Sequence, residues 1–244
     1  MLTVDFERFP VGPGDRVLDL GAGQGRHTYE VLRRGAEAIA VDLNESDLAE
    51  VEAMVGAMAI EGQIAAPATP VTLAANALAL PFPDGHFTHV IAAEILEHLP
   101  DDRSAIAEIE RVTAPGGQVA VTVPRNWPER ICWALSDAYH EVEGGHVRIY
   151  QASELRRLLE ATGLQFTGSH HAHALHSPYW WLKCAVGVDR DTALTRAYHR
   201  LLVWDMMSKP ALTRVGEQLL NPVLGKSVVL YFTKPDLTQP DRHR

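Results

Sequence analysis

The sequence contains little cysteine. Its 244 residues include only Cys132 and Cys184, and their separation matches no metal-binding spacing. Two cysteines do not make a disulfide framework, so we expect a protein of the reducing cytoplasm. Stability must then come from burial of the hydrophobic residues, which make up 46% of the chain, the proportion of an ordinary globular protein.

Basic residues are also scarce. The chain has 22 Lys and Arg against 31 Asp and Glu, a formal net charge of −9, and no run of basic residues that would form a local patch. Phosphate contacts need a basic surface. We therefore expect no nucleic-acid partner.

Long hydrophobic runs are absent as well. No stretch approaches the roughly 20 apolar residues that cross a bilayer. The first 16 residues, MLTVDFERFPVGPGDR, carry early acids and no apolar centre, which argues against a signal peptide. We expect no transmembrane segment; peripheral membrane contact and the oligomeric state stay open.

Strand-like and helix-like segments alternate from Val17 onward. This alternation is typical of an α/β fold, in which a mostly parallel sheet carries helices on both faces. The predicted strands are 17–20, 38–41, 70–74, 89–93, 118–123, 164–173 and 226–232. The predicted helices run from the first glycine turn to about 34, from a cap at Ser46 to about 61, and over 101–113, 154–162 and 191–207.

A glycine turn, Gly21-Ala22-Gly23-Gln24-Gly25, joins the first strand to the first helix. Glycines let a ligand approach the backbone closely, and a helix N-terminus attracts negative charge. Taken alone, this turn suits a dinucleotide, a nucleotide or S-adenosylmethionine equally well.

Four further features accompany the turn in a fixed order. Asp19 lies two residues before Gly21, and Asp42 ends the second strand, where a carboxylate can accept both ribose hydroxyls. The segments 76–87 (NALALPFPDGHF) and 114–117 (APGG) follow. Together these motifs resemble the class I S-adenosylmethionine-dependent methyltransferases, in the quinone-biosynthesis (ubiquinone O-methyltransferase-like) branch, over residues 15–170. A dinucleotide dehydrogenase is the minor alternative, because it is not expected to carry LPFPDGHF.

The resemblance implies a Rossmann-like seven-stranded methyltransferase sheet and a role for each motif residue. Asp19 would hold the ammonium of the donor, Asp42 the ribose, and Asn76 with Ala77 the adenine edge, although the family usually has Asp in place of Asn76. The remaining residues expected to contact S-adenosylmethionine are Gly21, Ala22, Gly23, Gly25, Leu43 and Glu94.

Two segments do not fit the alternation, 124–150 and 174–225, and they contain all five tryptophans. Large aromatic residues outside the sheet suggest a separate hydrophobic cap. We predict a donor-binding core over 1–123, an insertion or lid over 124–150, core again over 151–173, a helical cap for the acceptor over 174–225, the last strand over 226–233 and a loose tail over 234–244.

Acidic residues and a histidine follow the fourth strand in the sequence Glu94-Ile95-Leu96-Glu97-His98. This motif is similar to that of the ubiquinone O-methyltransferases and the small-RNA 2′-O-methyltransferases, in which a later histidine, here His146, completes a metal cluster. The resemblance implies that Glu94, Glu97, His98 and His146 bind Mg²⁺ or another divalent ion, which would stabilise an acceptor alkoxide. The alternative needs no metal: Glu97 and His98 orient the next helix, Glu94 touches the donor, and His98 or His146 is the general base.

The leading hypothesis is therefore methyl transfer from S-adenosylmethionine to a hydroxyl of a small metabolite (a phenol, quinol, sugar or diol). The acceptor could be hydrophobic, lipid-linked or a glycan. A C- or N-methyltransferase without metal and a non-catalytic donor-binding module are the alternatives. Histidines 170, 171, 173 and 176 do not suggest a metal site, with His171 and His173 expected on one strand face. Arg26 and His27 are expected to be exposed.

Overall fold

Seven strands form a single mixed sheet in the computed structural model, which describes residues 2–67, 71–141, 145–208 and 210–236. They are β1 (Arg16–Leu20), β2 (Glu37–Asp42), β3 (Thr72–Ala74), β4 (Phe87–Ala93), β5 (Thr113–Pro124), β6 (Gln165–Ala172) and β7 (Ser227–Thr233). The spatial order is β3-β2-β1-β4-β5-β7-β6. The first five strands are parallel, and β7 lies antiparallel between β5 and β6.

Helices cover both faces of this sheet. They are α1 (Arg26–Arg33), α2 (Glu45–Ile60), α3 (Asp102–Val112), α4 (Asn126–Leu135), α5 (Ala152–Glu160), α6 (His176–Val186), α7 (Ala193–Ser208) and α8 (Ala211–Leu224), with 3₁₀ turns at Leu96–His98 and Asp137–Tyr139. None of the described helices is long and apolar enough to cross a membrane.

Alternate residues of the central strands feed two separate cores. Leu18 of β1 packs with Ile106 of α3 and Leu155 of α5, whereas its neighbour Val17 packs with Val51 of α2 on the other face. Both faces are thus buried, which explains the nearly continuous apolar sequence of β1, β4 and β5. Because β1 lies between β2 and β4, chain connections leave it in both directions, and the crevice that this creates lies at the carboxyl ends of the strands.

Two local predictions were wrong. Asn44, not Ser46, caps α2: its Oδ1 accepts the backbone N–H groups of Ser46 and Asp47. The asparagine stands at the position from which a side-chain oxygen reaches the second and third N–H groups. The segment Pro115-Gly116-Gly117 lies inside β5 instead of preceding it, because β5 already begins at Thr113, which pairs with Phe87 of β4. The pairing register of β4 and β5 shifts between this pair and the next, and the two glycines lie in that shift.

The N-terminal segment also departs from expectation, because it covers the first helix. His27 is only 1% exposed, and its Nε2 accepts the backbone N–H groups of Thr3 and Val4 at 3.3 and 3.4 Å. Burial lowers the pKa of His27 to about 3, so the ring stays neutral and can accept both bonds. The prediction that His27 is exposed was therefore wrong, whereas Arg26 is exposed.

The two tryptophan-containing segments are helical and pack on each other. In α6, Trp181 lies 5.4 Å from Trp127 of α4, measured between ring centroids, and its Nε1 donates to the carbonyl of Pro128 at 3.0 Å. Residues 142–144 and 209 of these segments, and 237–244 of the predicted tail, lie outside the described residues. At the start of that tail, Lys234 pairs with Glu110 at 2.9 Å.

Candidate functional site

The glycine turn forms the wall of a cavity at the carboxyl ends of β1 and β4. The backbone N–H groups of Gly21 and Ala22 donate to the carbonyl of Val41, which fixes the turn against β2. Gly21 has a φ of 70°, and a Cβ there would lie 2.6 Å from Cδ1 of Ile95. Only glycine fits this position without a shift of the neighbouring side chain. The cavity measures about 360 Å³ and is lined by Gly21, Ala22, Gly23, Gln24, Arg26, His27 and Ala93.

Asp19 lies beneath this turn with one carboxylate oxygen in use. Its Oδ2 accepts the backbone N–H of Thr28 at 2.9 Å and the hydroxyl of Thr28 at 2.7 Å, which anchors α1. Its Oδ1 has no hydrogen-bond partner within the described parts of the chain. Burial raises the pKa of Asp19 above its ordinary value. An unpaired buried oxygen needs a donor, and a bound ammonium group or water would supply one.

Asp42 stands at the carboxyl end of β2, beside the glycine turn. Its Oδ2 accepts the backbone N–H of Gly23 at 2.9 Å, and its Oδ1 accepts that of Asn44 at 3.0 Å. Each carboxylate oxygen keeps lone-pair capacity for a further donor. Leu43 follows directly and is 70% exposed. A carboxylate next to an exposed apolar side chain offers one surface for hydroxyls and one for an aromatic ring.

Asn76 lies after β3, exposed at the same end of the sheet. Its Oδ1 accepts the backbone N–H of Leu78 at 2.9 Å, so its amide nitrogen remains as the donor. The side chain of Ala77 is 5% exposed and packs in the core, which leaves only its backbone for ligand contact.

A second cavity of about 260 Å³ shares Arg26 with the first and extends beneath the helical segments. Glu94 lines it in a left-handed backbone conformation, with φ at 56°. The backbone N–H of Glu94 donates to the carbonyl of Thr122, and its Oε1 accepts the hydroxyl of Thr122 at 2.8 Å. These bonds hold the carboxylate at the mouth of β4. The other lining residues are Thr3, His173, His176, Trp180, Met206, Lys226 and Ser227.

Glu97, His98 and His146 meet beside Glu94. Each offers a ligand atom, and these atoms all lie within 4.8 Å of one another, although His146 comes from the distant 124–150 segment. Glu97 is 1% exposed, and neither of its carboxylate oxygens has a hydrogen-bond partner among the described residues. Burial, together with the charge of Glu94, raises the pKa of Glu97 well above its ordinary value. Glu94 itself is not one of the three clustered groups.

Glu129 of α4 is a site residue that the sequence did not reveal. Its Oε1 lies 2.7 Å from Nδ1 of His146, and Trp133 and Tyr139 donate to the same carboxylate. Burial acts to raise the pKa of Glu129, but the hydrogen bond from His146 and the charge of Lys226 hold it below its ordinary value. Glu129 therefore fixes the imidazole through Nδ1, which directs Nε2 of His146 away from it. An acid in an insertion helix carries no motif that marks it.

The later histidines separate into different environments. His170 stacks on Tyr231 with ring centroids 5.7 Å apart, and His171 is partly buried. The prediction that His171 and His173 share a strand face was wrong, because β6 ends at Ala172 and His173 adopts a φ of 68°. His173 and His176 instead line the second cavity.

Comparison with known proteins gives a consistent result for the first half of the chain. Residues 18–121 match the family model described as a methyltransferase domain. A demethylmenaquinone methyltransferase of Corynebacterium urealyticum is 34% identical over 114 residues, 47% of this chain and 44% of that protein. The ubiquinone biosynthesis O-methyltransferase of Pseudomonas aeruginosa is 31% identical over 125 residues, 51% of each chain. The chain thus matches about half the length of these curated relatives.

The fold is shared over almost the whole chain. The solved structure of the cyclase SpnF superposes with a TM-score of 0.61 at 20% sequence identity and covers 94% of this chain and 79% of that one. The Rossmann-like seven-stranded sheet predicted from the sequence is therefore confirmed. At this level of identity the likeness concerns the fold alone.

Proposed function

We propose that this chain moves a methyl group from S-adenosylmethionine to a hydroxyl of a small metabolite. Its residues 18–121 match the methyltransferase-domain model, as the motifs predict. The observation that carries the proposal is the presence of two neighbouring cavities that share a lining residue. One follows the glycine turn, the other lies under the cap and is lined by Glu94, and Arg26 lines both. If the donor binds in the first cavity and the acceptor in the second, their reacting atoms would lie close together at the end of β4.

Each donor group has a matching protein group beside the first cavity, at the carboxyl ends of the strands. We assign the ammonium to the unpaired Oδ1 of Asp19, the ribose hydroxyls to Asp42, and the adenine to Leu43 and the Asn76 loop. The test is calorimetric. S-adenosylhomocysteine should bind one per chain, and NAD should not bind; binding of NAD in its place would restore the dehydrogenase alternative.

Mutation of Asn76 to Asp is expected to increase the affinity for S-adenosylhomocysteine. In the Asn76→Asp protein, S-adenosylhomocysteine should bind about 3- to 10-fold more tightly, because a carboxylate can accept from both Leu78 N–H and the exocyclic amine of adenine, and charge-assisted bonds are the stronger ones. Calorimetric titration against wild type measures this. Asn76→Ser is the control, since it shortens the side chain without adding charge. Unchanged or weaker binding by Asn76→Asp would show that adenine does not contact this side chain.

The cluster of Glu97, His98 and His146 fits a divalent ion. A buried carboxyl with both oxygens unpaired is costly unless a cation or donors reach it, and two imidazoles lie within reach. Two nitrogen ligands and one carboxylate suit Mn²⁺, Fe²⁺ or Zn²⁺ better than the Mg²⁺ expected from the sequence. When bound, such an ion would lower the pKa of an acceptor hydroxyl.

The chemistry requires alignment and removal of one proton. The acceptor oxygen attacks the methyl carbon of the sulfonium, the carbon–sulfur bond breaks with its electrons left on sulfur, and S-adenosylhomocysteine leaves. The second cavity holds the acceptor against Glu94, with Trp180 as part of its wall. If His98 and His146 do not hold a metal, either imidazole is the base that accepts the hydroxyl proton.

Glu129 is expected to position the imidazole of His146 for metal binding. Replacing it with Gln should weaken Mn²⁺ binding by about 10- to 100-fold, the usual effect of losing an outer-shell carboxylate that orients a ligand histidine. Calorimetry on chelator-treated protein measures the affinity. The matched control is Glu141→Gln, an exposed glutamate of the same insertion, which should bind Mn²⁺ like wild type. Equal affinities for Glu129→Gln and Glu141→Gln would remove His146 from the metal site.

A further inference from the structure

A second cluster of ligand-type side chains forms where the cap meets the sheet. His173 follows β6, His176 begins α6, and Glu217 lies in the middle of α8. Each presents one ligand atom, and the three atoms lie within 4.8 Å of one another. The two histidines were predicted not to form a metal site, because strands and their edges often carry histidines for packing or polar display; that prediction did not consider Glu217.

Polar atoms of this cluster are buried without partners. Nδ1 of His176 and Oε1 of Glu217 make no hydrogen bond among the described residues. Nε2 of His173 contacts the hydroxyl of Thr3 at 3.0 Å, which gives this ring an orienting partner.

Backbone strain is concentrated at the same place. Among the described residues, Glu94 and His173 are the two non-glycine residues with positive φ, at 56° and 68°. Such conformations are unfavourable for residues with a Cβ and tend to occur at functional sites. Both residues line the 260 Å³ cavity. The two residues with strained backbone, Glu94 and His173, therefore line the same cavity.

Basic and acidic side chains both surround the cluster. Arg26 and Lys226 line the cavity and act to lower the pKa of His173, so they oppose a bound cation. On the other side, Glu217 contributes a carboxylate to the cluster, and the charge of Asp205, which is 7% exposed, acts to raise the pKa of both Glu217 and His176. Arg214 also acts to lower the pKa of Glu217, so a cation bound among these groups would have two carboxylates to set against three basic side chains.

We propose that His173, His176 and Glu217 form a site for a divalent transition metal of the Zn²⁺ class, separate from the Glu97 cluster. Two nitrogen ligands with one carboxylate suit Zn²⁺ or Co²⁺ and disfavour Mg²⁺. The metal joins α8 to the junction of β6 and α6. Three protein ligands leave a fourth position for water or an oxygen of a ligand in the cavity.

Cobalt is the probe that tests the site, because four-coordinate Co²⁺ absorbs visible light. The experiment uses the chelator-treated full chain in a His146→Ala background, which disables the other cluster. This protein should bind one Co²⁺ with a visible band that excess Zn²⁺ removes. Adding His176→Gln or Glu217→Gln should weaken binding at least tenfold and abolish the band. The matched control is His199→Gln, which replaces an exposed histidine of the same cap and should leave the Co²⁺ affinity and the visible band unchanged.

Two results would overturn the assignment. The first is a His146→Ala protein that folds, as judged by circular dichroism, and takes up no Co²⁺. The second is a Co²⁺ spectrum and affinity that neither His176→Gln nor Glu217→Gln alters relative to His199→Gln. Because S-adenosylhomocysteine binding is measured separately on the same proteins, failure of this site is distinguishable from failure of the proposed methyl transfer.

Discussion

Replacing Asp42 with Ala should lower the affinity for S-adenosylhomocysteine by about 100-fold. The ribose would lose two hydrogen bonds to a charged acceptor, each worth roughly 1.5 kcal/mol or more, and about 1.4 kcal/mol corresponds to a factor of ten. The same carboxylate holds the backbone N–H of Gly23 at 2.9 Å, so the glycine turn would loosen as well. Calorimetric titration of both proteins measures the difference.

Two companion variants separate these contributions. Asp42→Asn keeps one acceptor oxygen and should lose less affinity than Asp42→Ala. Glu45→Ala removes an exposed carboxylate from the first turn of α2, close to Asp42 in the chain, and should bind like wild type. If Asp42→Ala bound S-adenosylhomocysteine within a few-fold of wild type, the ribose would not lie at the end of β2 and the donor pose would be wrong.

Replacing Glu97 with Gln should abolish Mn²⁺ binding at its cluster, a loss on the order of 100-fold or more, because a ligand contributes at least as much as an outer-shell group. The metal-free protein should not lose stability, since an amide is easier to bury than a carboxyl whose oxygens are both unpaired. Thermal unfolding with and without Mn²⁺ measures both effects, in a His176→Gln background that disables the second cluster. Mn²⁺ should raise the Tm of the His176→Gln protein and leave the Tm of the Glu97→Gln, His176→Gln double variant unchanged.

Glu94→Gln is the control that distinguishes two ligand sets. The sequence predicts four ligands including Glu94, whereas the structure clusters three without it and bonds Oε1 of Glu94 to Thr122. Glu94→Gln should therefore retain Mn²⁺ binding within a few-fold. Equal losses for Glu94→Gln and Glu97→Gln would support the four-ligand set, and no Mn²⁺ binding by wild type would remove the metal from the proposal.

The sheet and the donor motifs were predictable because they are encoded locally. A parallel strand buried on both faces is a short apolar run, and the turn from Asp19 to Gly25 lies within seven consecutive residues. The stripe Leu48, Val51, Val55 and Met58 is buried as its helical spacing predicts. In each case, neighbours in sequence are also neighbours in space.

The second half of the site depends on contacts between distant segments. Glu129 of α4 contacts His146 across 17 positions of the insertion, and Glu217 reaches His176 across 41 positions of the cap. Burial of His27 likewise requires the N-terminal segment to fold over α1. Periodicity gives the buried face of an element but not the elements that pack against it. The histidines were therefore predictable as candidate site residues, whereas the carboxylates that lie beside them were not.

Transfer of a labelled methyl group tests the central claim most directly. The wild-type protein, with Mn²⁺ and Zn²⁺ present, is incubated with S-adenosylmethionine carrying a ¹³C methyl and with a small-metabolite extract of the source cells, and Asp42→Ala is the control. The account predicts a new ¹³C signal at the chemical shift of a methyl ether, formed by wild type and nearly absent with Asp42→Ala. A signal on carbon or nitrogen would contradict the hydroxyl acceptor. Tight S-adenosylhomocysteine binding without transfer from any extract fraction would contradict catalysis and indicate a donor-binding module.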